Sequence, residues 1–335
     1  MGPASDASIS NPSSPDRDLV VVVDTGGTKT AAWLVDSQSP TDYRRLGEAR
    51  TSAGNPLSVG FEKATQAIYD AINLARKSAG FADVRACRAV LSIAGAANRE
   101  MTARFVSWCK TIPIADQIAI VSDVLPILAA GTPDCCGVAL ISGTGSSAFG
   151  RAADGTSKRC GGWGYLLGDE GSGYALGRGA LQHTLRSLET GDTDHGFSAK
   201  VITELGVKTV TELTRTIYGG GDPRHAVAAL SKIVCNAADE GDATANGLLD
   251  IAAAELADLA ARTATAVGVA DSGFPLAVAG GLLTNSCPLQ ERLRAELLKR
   301  NLQCGIQVVE EPLAGCVRLA DKKFSGALVN WHACQ

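Results

Sequence analysis

Two short turns in this sequence combine glycine with hydroxyl side chains directly after an apolar run. The first is Asp-Thr-Gly-Gly-Thr-Lys-Thr at 24–30, and the second is Ile-Ser-Gly-Thr-Gly-Ser at 141–146. Glycine lets the backbone approach a ligand closely, and successive backbone N–H groups bind phosphate oxygens. We interpret both turns as phosphate-binding, because two such turns could hold the two ends of a triphosphate.

The first turn also offers a metal ligand. Asp24 stands where a strand is predicted to end, and a single carboxylate with retained waters is a usual Mg²⁺ site. Thr25 and Thr30 add hydroxyl donors beside the turn. The alternative for each turn is an ordinary tight hairpin. The predicted phosphate-binding residues of the two turns are Gly26, Gly27, Thr28, Lys29, Gly143, Thr144 and Gly145.

The two commonest phosphate loops do not fit these turns. A Walker A loop requires Gly-Lys-Ser/Thr at the start of a helix, and the sequence contains no Gly-Lys dipeptide. A dinucleotide-binding fingerprint is followed by a helix, whereas a strand is predicted after each of these turns.

Asp123 is the candidate catalytic base. It follows Ser122 at the end of a short predicted strand, 117–121. Phosphoryl transfer to an alcohol requires mainly positioning and charge stabilisation, with an aspartate that accepts the hydroxyl proton. The alternative is that Asp123 caps a helix, since Val-Leu-Pro follows it.

The segment from Cys160 to Gly173 is the most unusual in the chain. Its six glycines surround Trp163, Asp169 and Glu170. An indole beside carboxylates suits a sugar, because the ring covers the apolar sugar face and the carboxylates accept from its hydroxyls. We therefore predict a sugar site in this segment.

A third glycine pair, Gly280-Gly281, follows the apolar run Pro275 to Val278. A buried strand that ends in two glycines allows a flat group such as adenine to approach, so both glycines are predicted to bind ATP. The alternative is a helix N-terminus capped by Thr284 or Asn285.

The elements around these motifs are read from hydrophobic spacing. Strands are predicted at 19–23 and 30–35, and again at 137–142 and 147–151, so a strand–turn–strand unit occurs twice. This repeat indicates an internal duplication. The remaining predictions are strands at 88–93, 117–121, 275–278 and 306–309, and helices at 58–79, 98–109, 171–187, 289–300 and 314–328, with mostly helical sequence at 197–267.

Composition narrows the class of protein. A chain of 335 residues with 45% hydrophobic residues and a net charge of −4 suits two folded domains and lacks a basic surface for nucleic acid. Neither a membrane-spanning run nor a signal peptide is predicted, so we expect a cytoplasmic protein without a membrane partner. The ten cysteines form no C-x-x-C pair and are expected to be reduced and buried.

The combined motifs resemble the actin–hexokinase–Hsp70 ATPase superfamily, and within it the N-acetylglucosamine kinase family, grouped with the BadF/BadG/BcrA/BcrD-type ATPases. The resemblance spans about residues 19 to 320. Its most specific parts are Gly-Gly-Trp-Gly at 161–164, Gly-Asp-Glu-Gly-Ser at 168–172, and Ser-Gly-Thr-Gly-Ser at 142–146.

This resemblance implies an α/β fold of two RNase H-like domains with a cleft between them, and a homodimer. It implies ATP and Mg²⁺ as cofactors, with Thr28 and Thr144 at ATP. Asp123 would be the base for the 6-hydroxyl of the sugar. The implied sugar-binding residues are Asn55, Asp123, Gly162, Trp163 and Asp169.

The domain prediction divides the chain into three parts. Residues 1–17 are predicted as a disordered tail, 18–124 as the first domain and 125–335 as the second, with a helical insert. An alternative for the closing helix at 314–328 is that it packs back on the first domain.

The predicted function is transfer of the γ-phosphoryl group of ATP to the 6-hydroxyl of N-acetylglucosamine. Glucosamine and N-acetylmuramic acid are the alternative substrates. Two alternatives from other classes are an ATPase that activates a dehydratase and a non-catalytic sugar sensor. A dehydratase activator needs a cysteine just before the second glycine turn, where this chain has Leu140-Ile141-Ser142. A sensor needs no catalytic base, so the presence of Asp123 argues against it.

Overall fold

The structure is a computed structural model that describes residues 18–96, 98–193, 196–220 and 223–334. The tail predicted at residues 1–17 lies outside the described residues. Tertiary contacts divide the chain into two compact units. The first unit extends to Ala130 and includes the segment from Glu311 onward, and the second runs from Gly131 to Glu310.

This division differs from the predicted domain limits in two respects. The boundary between the units lies at Ala130 and Gly131, at the C-terminal end of the helix that begins at Val124, whereas the predicted boundary lay at its N-terminal end. The C-terminal segment, which the sequence assigned to the second domain, belongs to the first unit, as the alternative for the helix at 314–328 allowed.

The strands of the described chain, in order, are β1 (Leu19–Thr25), β2 (Thr30–Ser37), β3 (Tyr43–Thr51), β4 (Ala86–Ile93), β5 (Ala115–Val121), β6 (Gly137–Ser142), β7 (Ser146–Arg151), β8 (Ser157–Gly161), β9 (Phe274–Ala279), β10 (Cys304–Val308) and β11 (His332–Ala333).

The α-helices are α1 (Pro56–Val59), α2 (Phe61–Ser78), α3 (Arg99–Cys109), α4 (Val124–Gly131), α5 (Gly173–Thr190), α6 (Gly196–Leu205), α7 (Val210–Tyr218), α8 (Pro223–Ala229), α9 (Ser231–Asp239), α10 (Ala243–Ala266), α11 (Gly281–Asn285), α12 (Cys287–Lys299), α13 (Pro312–Ala320) and α14 (Lys322–Ser325).

The sheet of the first unit has the order β11-β5-β4-β1-β2-β3. Strands β1, β2 and β3 form an antiparallel meander, whereas β1, β4 and β5 run parallel. Val21 and Val23 of β1 belong to the core beneath α2 and α3, while Val20 and Val22 are also fully buried and α13 contacts β1. A strand covered on both faces explains the unbroken valine run.

The sheet of the second unit has the order β10-β9-β6-β7-β8. Strands β6, β7 and β8 form an antiparallel meander, and β9 and β10 run parallel to β6. This is the strand order and direction of β1 to β5 in the first unit. The duplication predicted from the two hairpins is therefore present in the topology of both sheets.

The structure corrects several predicted elements. The helix predicted at 58–79 is two helices, because Gly60 has a φ of 86° between α1 and α2. The helix predicted at 314–328 is interrupted at Asp321, whose carboxylate caps α14. Strands β3, β8 and β11 were not predicted, since they lie at sheet edges and carry mainly polar or exposed residues that give no apolar pattern.

Packing between α5 and α8 requires a glycine. A Cβ at Gly177 of α5 would overlap the carbonyl group of Val227 of α8, whereas a Cβ at Gly247 of α10 would meet nothing within 4 Å. Both glycines lie in helices of the second unit, so they form a matched pair.

We expect Gly177→Ala to lower the free energy of unfolding by about 1–3 kcal/mol through overpacking. Gly247→Ala should leave it unchanged or raise it by up to about 1 kcal/mol, because alanine favours the helix. Urea and thermal unfolding of both variants measure the difference. Equal stabilities would contradict the packing described here.

Candidate functional site

Three polar residues meet at one edge of the first sheet. Asp24 lies near the end of β1, Ser92 lies opposite it in β4, and Asp123 follows the end of β5. Because the three strands are parallel and adjacent, their carboxyl ends share one edge, which is where ligands bind in open α/β sheets.

The Asp24 carboxylate is half-buried and accepts a hydrogen bond from the Ser92 hydroxyl at 2.7 Å. Burial raises the pKa of Asp24 from its ordinary 3.8 to about 6. The Ser92 hydrogen bond opposes this rise, the nearby Asp123 carboxylate adds to it, and Lys29 opposes it. The charged form of Asp24 is therefore disfavoured by the protein alone, and a bound cation would stabilise it.

Asp24 fits the predicted Mg²⁺ site on its donor chemistry. Mg²⁺ in phosphoryl-transfer sites is usually held by one or two carboxylates with waters and phosphate oxygens. Among the described residues no group of three or more His, Cys, Asp or Glu side chains could hold a metal.

The first glycine turn closes with a hydrogen bond from Gly26 N to Lys29 O at 3.0 Å. Gly27, Thr28 and Lys29 are exposed, and within the described parts of the chain their backbone N–H groups have no acceptor. Such N–H groups are available for phosphate oxygens.

Two of the threonines predicted to offer hydroxyl donors at this turn do not face solvent. Thr25 and Thr30 are almost fully buried, and their hydroxyl oxygens lie 3.0 Å apart in a mutual hydrogen bond. They close the hairpin, so of the three threonines Thr28 alone has an exposed side chain.

Asn55 lies beside this turn in the same unit. The backbone N–H groups of Gly54 and Asn55 both donate to Gly26 O at 3.2 Å. Gly54 packs against the threonine pair, where a Cβ would be 2.6 Å from the Thr30 hydroxyl oxygen. The Asn55 side chain accepts from Leu57 N at 2.9 Å and caps α1, which leaves its amide NH₂ without an acceptor among the described residues.

The second glycine turn is held from two sides within the second unit. Gly143 N donates to Gly145 O at 2.9 Å, and the first N–H groups of α5, those of Gly173 and Tyr174, donate to Gly143 O and Thr144 O at 2.7 and 3.1 Å. In the described chain nothing accepts from the N–H groups of Thr144 and Gly145. This turn therefore also presents N–H groups to a phosphate.

Gly280 and Gly281 lie next to the second turn. Gly280 has a φ of 93° and packs against the backbone of Ser142, and a Cβ on Gly143 would lie 3.6 Å from Gly281 N. The alternative of a helix N-terminus is correct, since α11 begins at Gly281, but its predicted cap at Thr284 or Asn285 is wrong. Gly280 occupies the N-cap of α11, Ser286 caps α12, and Thr284 and Asn285 donate back to the carbonyl groups of Gly280 and Gly281.

The segment between β8 and α5 projects Trp163 outward, with 65% of it exposed. Gly161, Gly162 and Gly164 all have positive φ, at 67°, 73° and 84°, which L residues with a Cβ rarely adopt. Leu166 and Leu167 are also exposed. An indole held away from the core by three such glycines is available to a ligand.

Asp169 is placed differently from Trp163. It is 2% exposed and has a φ of 64°. Its Oδ1 accepts from Ser146 N at 3.1 Å, and its Oδ2 accepts from an Arg224 guanidinium nitrogen at 2.9 Å. Both carboxylate oxygens therefore bind protein groups, and a sugar contact would use their remaining lone pairs.

Sequence reasoning missed the residues that support these motifs. Ser142 and Ser146 donate to the carbonyl oxygens of Gly171 and Glu170 at 2.8 and 2.6 Å. Glu255 of α10 accepts from Gly171 N at 2.6 Å, and burial raises the pKa of its carboxyl. The serines stood inside a recognised motif, but Glu255 and Arg224 lie far along the chain in helices with no signal of their own.

The ten cysteines are all free thiols, as predicted. The prediction that they are buried is correct for Cys109, Cys135, Cys316 and Cys334 and wrong for the others, of which Cys87 and Cys287 are exposed. The described helices include none that is long and apolar enough to cross a membrane.

A family model described as "BadF/BadG/BcrA/BcrD ATPase family" matches residues 21–316. The chain belongs to this family. The match includes both glycine turns, the carboxylate edge and the Trp163 segment.

Two characterised relatives cover most of the chain. An N-acetylmuramic acid/N-acetylglucosamine kinase of Clostridium acetobutylicum is 29% identical over 276 residues, which is 82% of this chain and 89% of the relative. An N-acetyl-D-glucosamine kinase of Dictyostelium discoideum is 27% identical over 302 residues, 84% of this chain and 91% of the relative.

Solved structures agree on the fold. A proposed N-acetylglucosamine kinase from Chromobacterium violaceum matches with a TM-score of 0.72 and 27% identity, covering 92% of this chain and all of that one. A ROK family glucokinase from Streptomyces griseus, in complex with glucose and AMPPNP, matches with a TM-score of 0.52 at 19% identity, covering 90% and 98%. The predicted family and the predicted two-sheet α/β fold are confirmed, and the comparisons agree with the predicted class of enzyme.

The raised pKa of Asp24 predicts a pH-dependent stability. Because the folded pKa exceeds the unfolded one, the folded state binds more protons between about pH 4 and pH 6, and stability falls as pH rises through that window. Asp24→Asn lacks this titration. When pH rises from about 5 to about 7.5, the wild type should therefore lose roughly 1 kcal/mol more of its free energy of unfolding than Asp24→Asn does.

Urea unfolding at the two pH values measures this gain, and Asp83→Asn, at an exposed position of the same unit, is the control. If wild type, Asp24→Asn and the control change equally with pH, the raised pKa of Asp24 is disproved.

Proposed function

We propose that this protein is an ATP-dependent sugar kinase that transfers the γ-phosphoryl group of ATP to the 6-hydroxyl of N-acetylglucosamine. One observation carries the proposal. A single sheet edge of the first unit combines a phosphate-type turn, the Asp24 carboxylate and the Asp123 carboxylate. These are a phosphate ligand, a metal ligand and a proton acceptor, which phosphoryl transfer to an alcohol requires together.

Asp123 is the proposed base. It is half-buried directly before α4, and its charge acts on Asp24. A carboxylate in this position accepts the proton of the sugar hydroxyl as its oxygen attacks phosphorus. It also orients that oxygen, which is the larger part of what a kinase supplies.

Asp24 is the residue proposed to hold Mg²⁺, with Ser92 fixing the orientation of its carboxylate through the 2.7 Å hydrogen bond. The bound metal would neutralise negative charge on the phosphate oxygens. The backbone N–H groups of the first turn, which have no acceptor in the described part of the chain, would bind the same kind of oxygen without adding mobile charge.

Phosphate binding is proposed for the second turn as well, through Gly143, Thr144 and Gly145. Gly280 and Gly281, next to that turn, are proposed to contact the nucleotide. In this reading the hydrogen bonds from α5 hold the turn in one conformation, so that its N–H groups need no reorganisation when phosphate binds.

Sugar binding is proposed for Asn55 in the first unit and for Gly162, Trp163 and Asp169 in the second. The amide NH₂ of Asn55, which has no acceptor among the described residues, can donate to a sugar oxygen. The exposed indole of Trp163 can cover the apolar face of a pyranose ring.

The names of the relatives support an amino sugar as the acceptor. Both act on N-acetylglucosamine by name, and the clostridial relative acts on N-acetylmuramic acid too. N-acetylmuramic acid and glucosamine therefore remain the alternative acceptors. A homodimer, which the family resemblance implies, and a cytoplasmic location, which the sequence pattern predicts, are further proposals.

A dehydratase-activating ATPase is the alternative from another class, and the second turn bears on it. Ser142 occupies the position before that turn, and its hydroxyl donates to Gly171 O in the buried interior. A cysteine would be needed there to ligate iron. An iron assay on anaerobically purified protein separates this alternative from the kinase.

A coupled assay of ADP release tests the proposed reaction. We expect Mg-ATP turnover with N-acetylglucosamine, and the panel should include glucose, glucosamine, N-acetylmannosamine and N-acetylmuramic acid. Product analysis should place the phosphate on the 6-oxygen. Absence of turnover with every amino sugar would overturn the proposal and favour a sensor.

Replacing the proposed base should separate chemistry from binding. We expect Asp123→Asn to lower kcat by about 100-fold or more, because the amide cannot accept the proton, while AMPPNP affinity changes little. Asp83→Asn, exposed in the same unit, should keep wild-type activity. A rate above about one tenth of wild type would remove Asp123 from this role.

A further inference from the structure

The Arg224–Asp169 ion pair of the second unit joins a residue of the Trp163 segment to Arg224, which belongs to no motif recognised in the sequence. Arg224 is the second residue of α8, and its side chain is 34% exposed, whereas that of Asp169 is 2% exposed. A buried carboxylate loses its hydration, and a guanidinium at 2.9 Å offsets part of that loss. Arg224 therefore fixes the orientation of the Asp169 carboxylate.

The carboxylate oxygen of Asp169 that does not contact Arg224 fixes the backbone just after the second glycine turn. Asp169 Oδ1 accepts from Ser146 N at 3.1 Å, and Ser146 begins β7 directly after Gly145. Asp169 has a φ of 64°, a conformation that non-glycine residues hold only where surrounding contacts require it. The carboxylate thus connects α8 to the end of the turn.

Gly145 lies directly against this ion pair. A Cβ at Gly145 would be 2.6 Å from the guanidinium nitrogen of Arg224 and 2.6 Å from Asp169 Oδ1. The turn is therefore held by α5 through the carbonyl oxygens of Gly143 and Thr144, and by the ion pair at its other end.

The geometry points to Arg224 as a positioning residue for the second phosphate turn, acting through Asp169 on Ser146 N and Gly145. It keeps the N–H groups of Thr144 and Gly145 in the orientation that binds a nucleotide phosphate. This inference rests on the proposed function for the nucleotide as ligand. The inference goes beyond the proposed function because it assigns Arg224 a role in nucleotide affinity.

Calorimetric titration with Mg-AMPPNP tests the inference without turnover. We expect Arg224→Met to weaken binding by about tenfold or more, because Asp169 loses its partner and releases Ser146 N. Arg224→Lys, which keeps the charge but not the planar guanidinium, should fall between Arg224→Met and wild type. Arg262→Met, which removes an arginine from an exposed ion pair in the same unit, should bind as wild type.

A double-mutant cycle identifies the path of the effect. If Arg224 acts through Asp169, Arg224→Met should change AMPPNP affinity little further in an Asp169→Asn background. Full additivity, or an Arg224→Met affinity equal to that of Arg262→Met, would overturn the inference. Arg224→Met could fail to fold, which thermal unfolding would show, and Arg224→Lys then decides. An Arg224→Lys affinity equal to that of Arg262→Met would overturn the inference, and a loss of about threefold or more would support it, because lysine lacks the planar guanidinium that contacts Asp169 Oδ2.

The same titration distinguishes this inference from the proposed function. A wild-type protein that binds AMPPNP but phosphorylates no sugar disproves the kinase while leaving Arg224 testable. A wild-type protein that phosphorylates N-acetylglucosamine, with Arg224→Met unchanged in nucleotide affinity, retains the kinase and disproves the role of Arg224.

Discussion

The candidate chemistry depends on the parallel arrangement of β1, β4 and β5. Parallel neighbours end at the same sheet edge, so Asp24, Ser92 and Asp123 come together although up to 99 residues separate them along the chain (123 − 24 = 99). At this edge burial disfavours the charged form of Asp24, the nearby Asp123 carboxylate adds to that effect, and the Ser92 hydroxyl and the charge of Lys29 oppose it. A cation would stabilise the charged form of Asp24, which is the physical reason that this edge suits a metal ion.

The second unit uses the same strand topology with different supporting contacts. Its glycine turn is fixed by backbone hydrogen bonds from α5 and by the Asp169 carboxylate, while Ser142 and Ser146 bind the carbonyl oxygens of the segment before α5. The turn and the segment that carries Trp163 thus form one hydrogen-bonded structure. A change in either would be transmitted to the other through bonds shorter than 3.2 Å.

Several features could be predicted because their signals are local. The valine run of β1, the glycine turns and the capped start of α3 at Asn98 each depend on residues close in sequence. The edge strands β3, β8 and β11 could not be predicted; β3, for example, is largely polar and its pairing with β2 is decided by tertiary contacts. The roles of Thr25 and Thr30 were misjudged for the same reason, since their burial depends on Gly54 packing over them.

By itself the sequence determined the type of protein. Glycine–hydroxyl turns after apolar strands, a carboxylate after β5 and the Trp163 segment are patterns of adjacent residues, and they sufficed to predict the family and the duplicated α/β fold. Only the tertiary structure decided which groups are accessible and which are paired. It turned Thr25 and Thr30 inward, left Trp163 exposed, buried Asp169 and brought Arg224 to it across 55 residues. Burial and long-range pairing arise from packing between distant segments, and no local pattern encodes them.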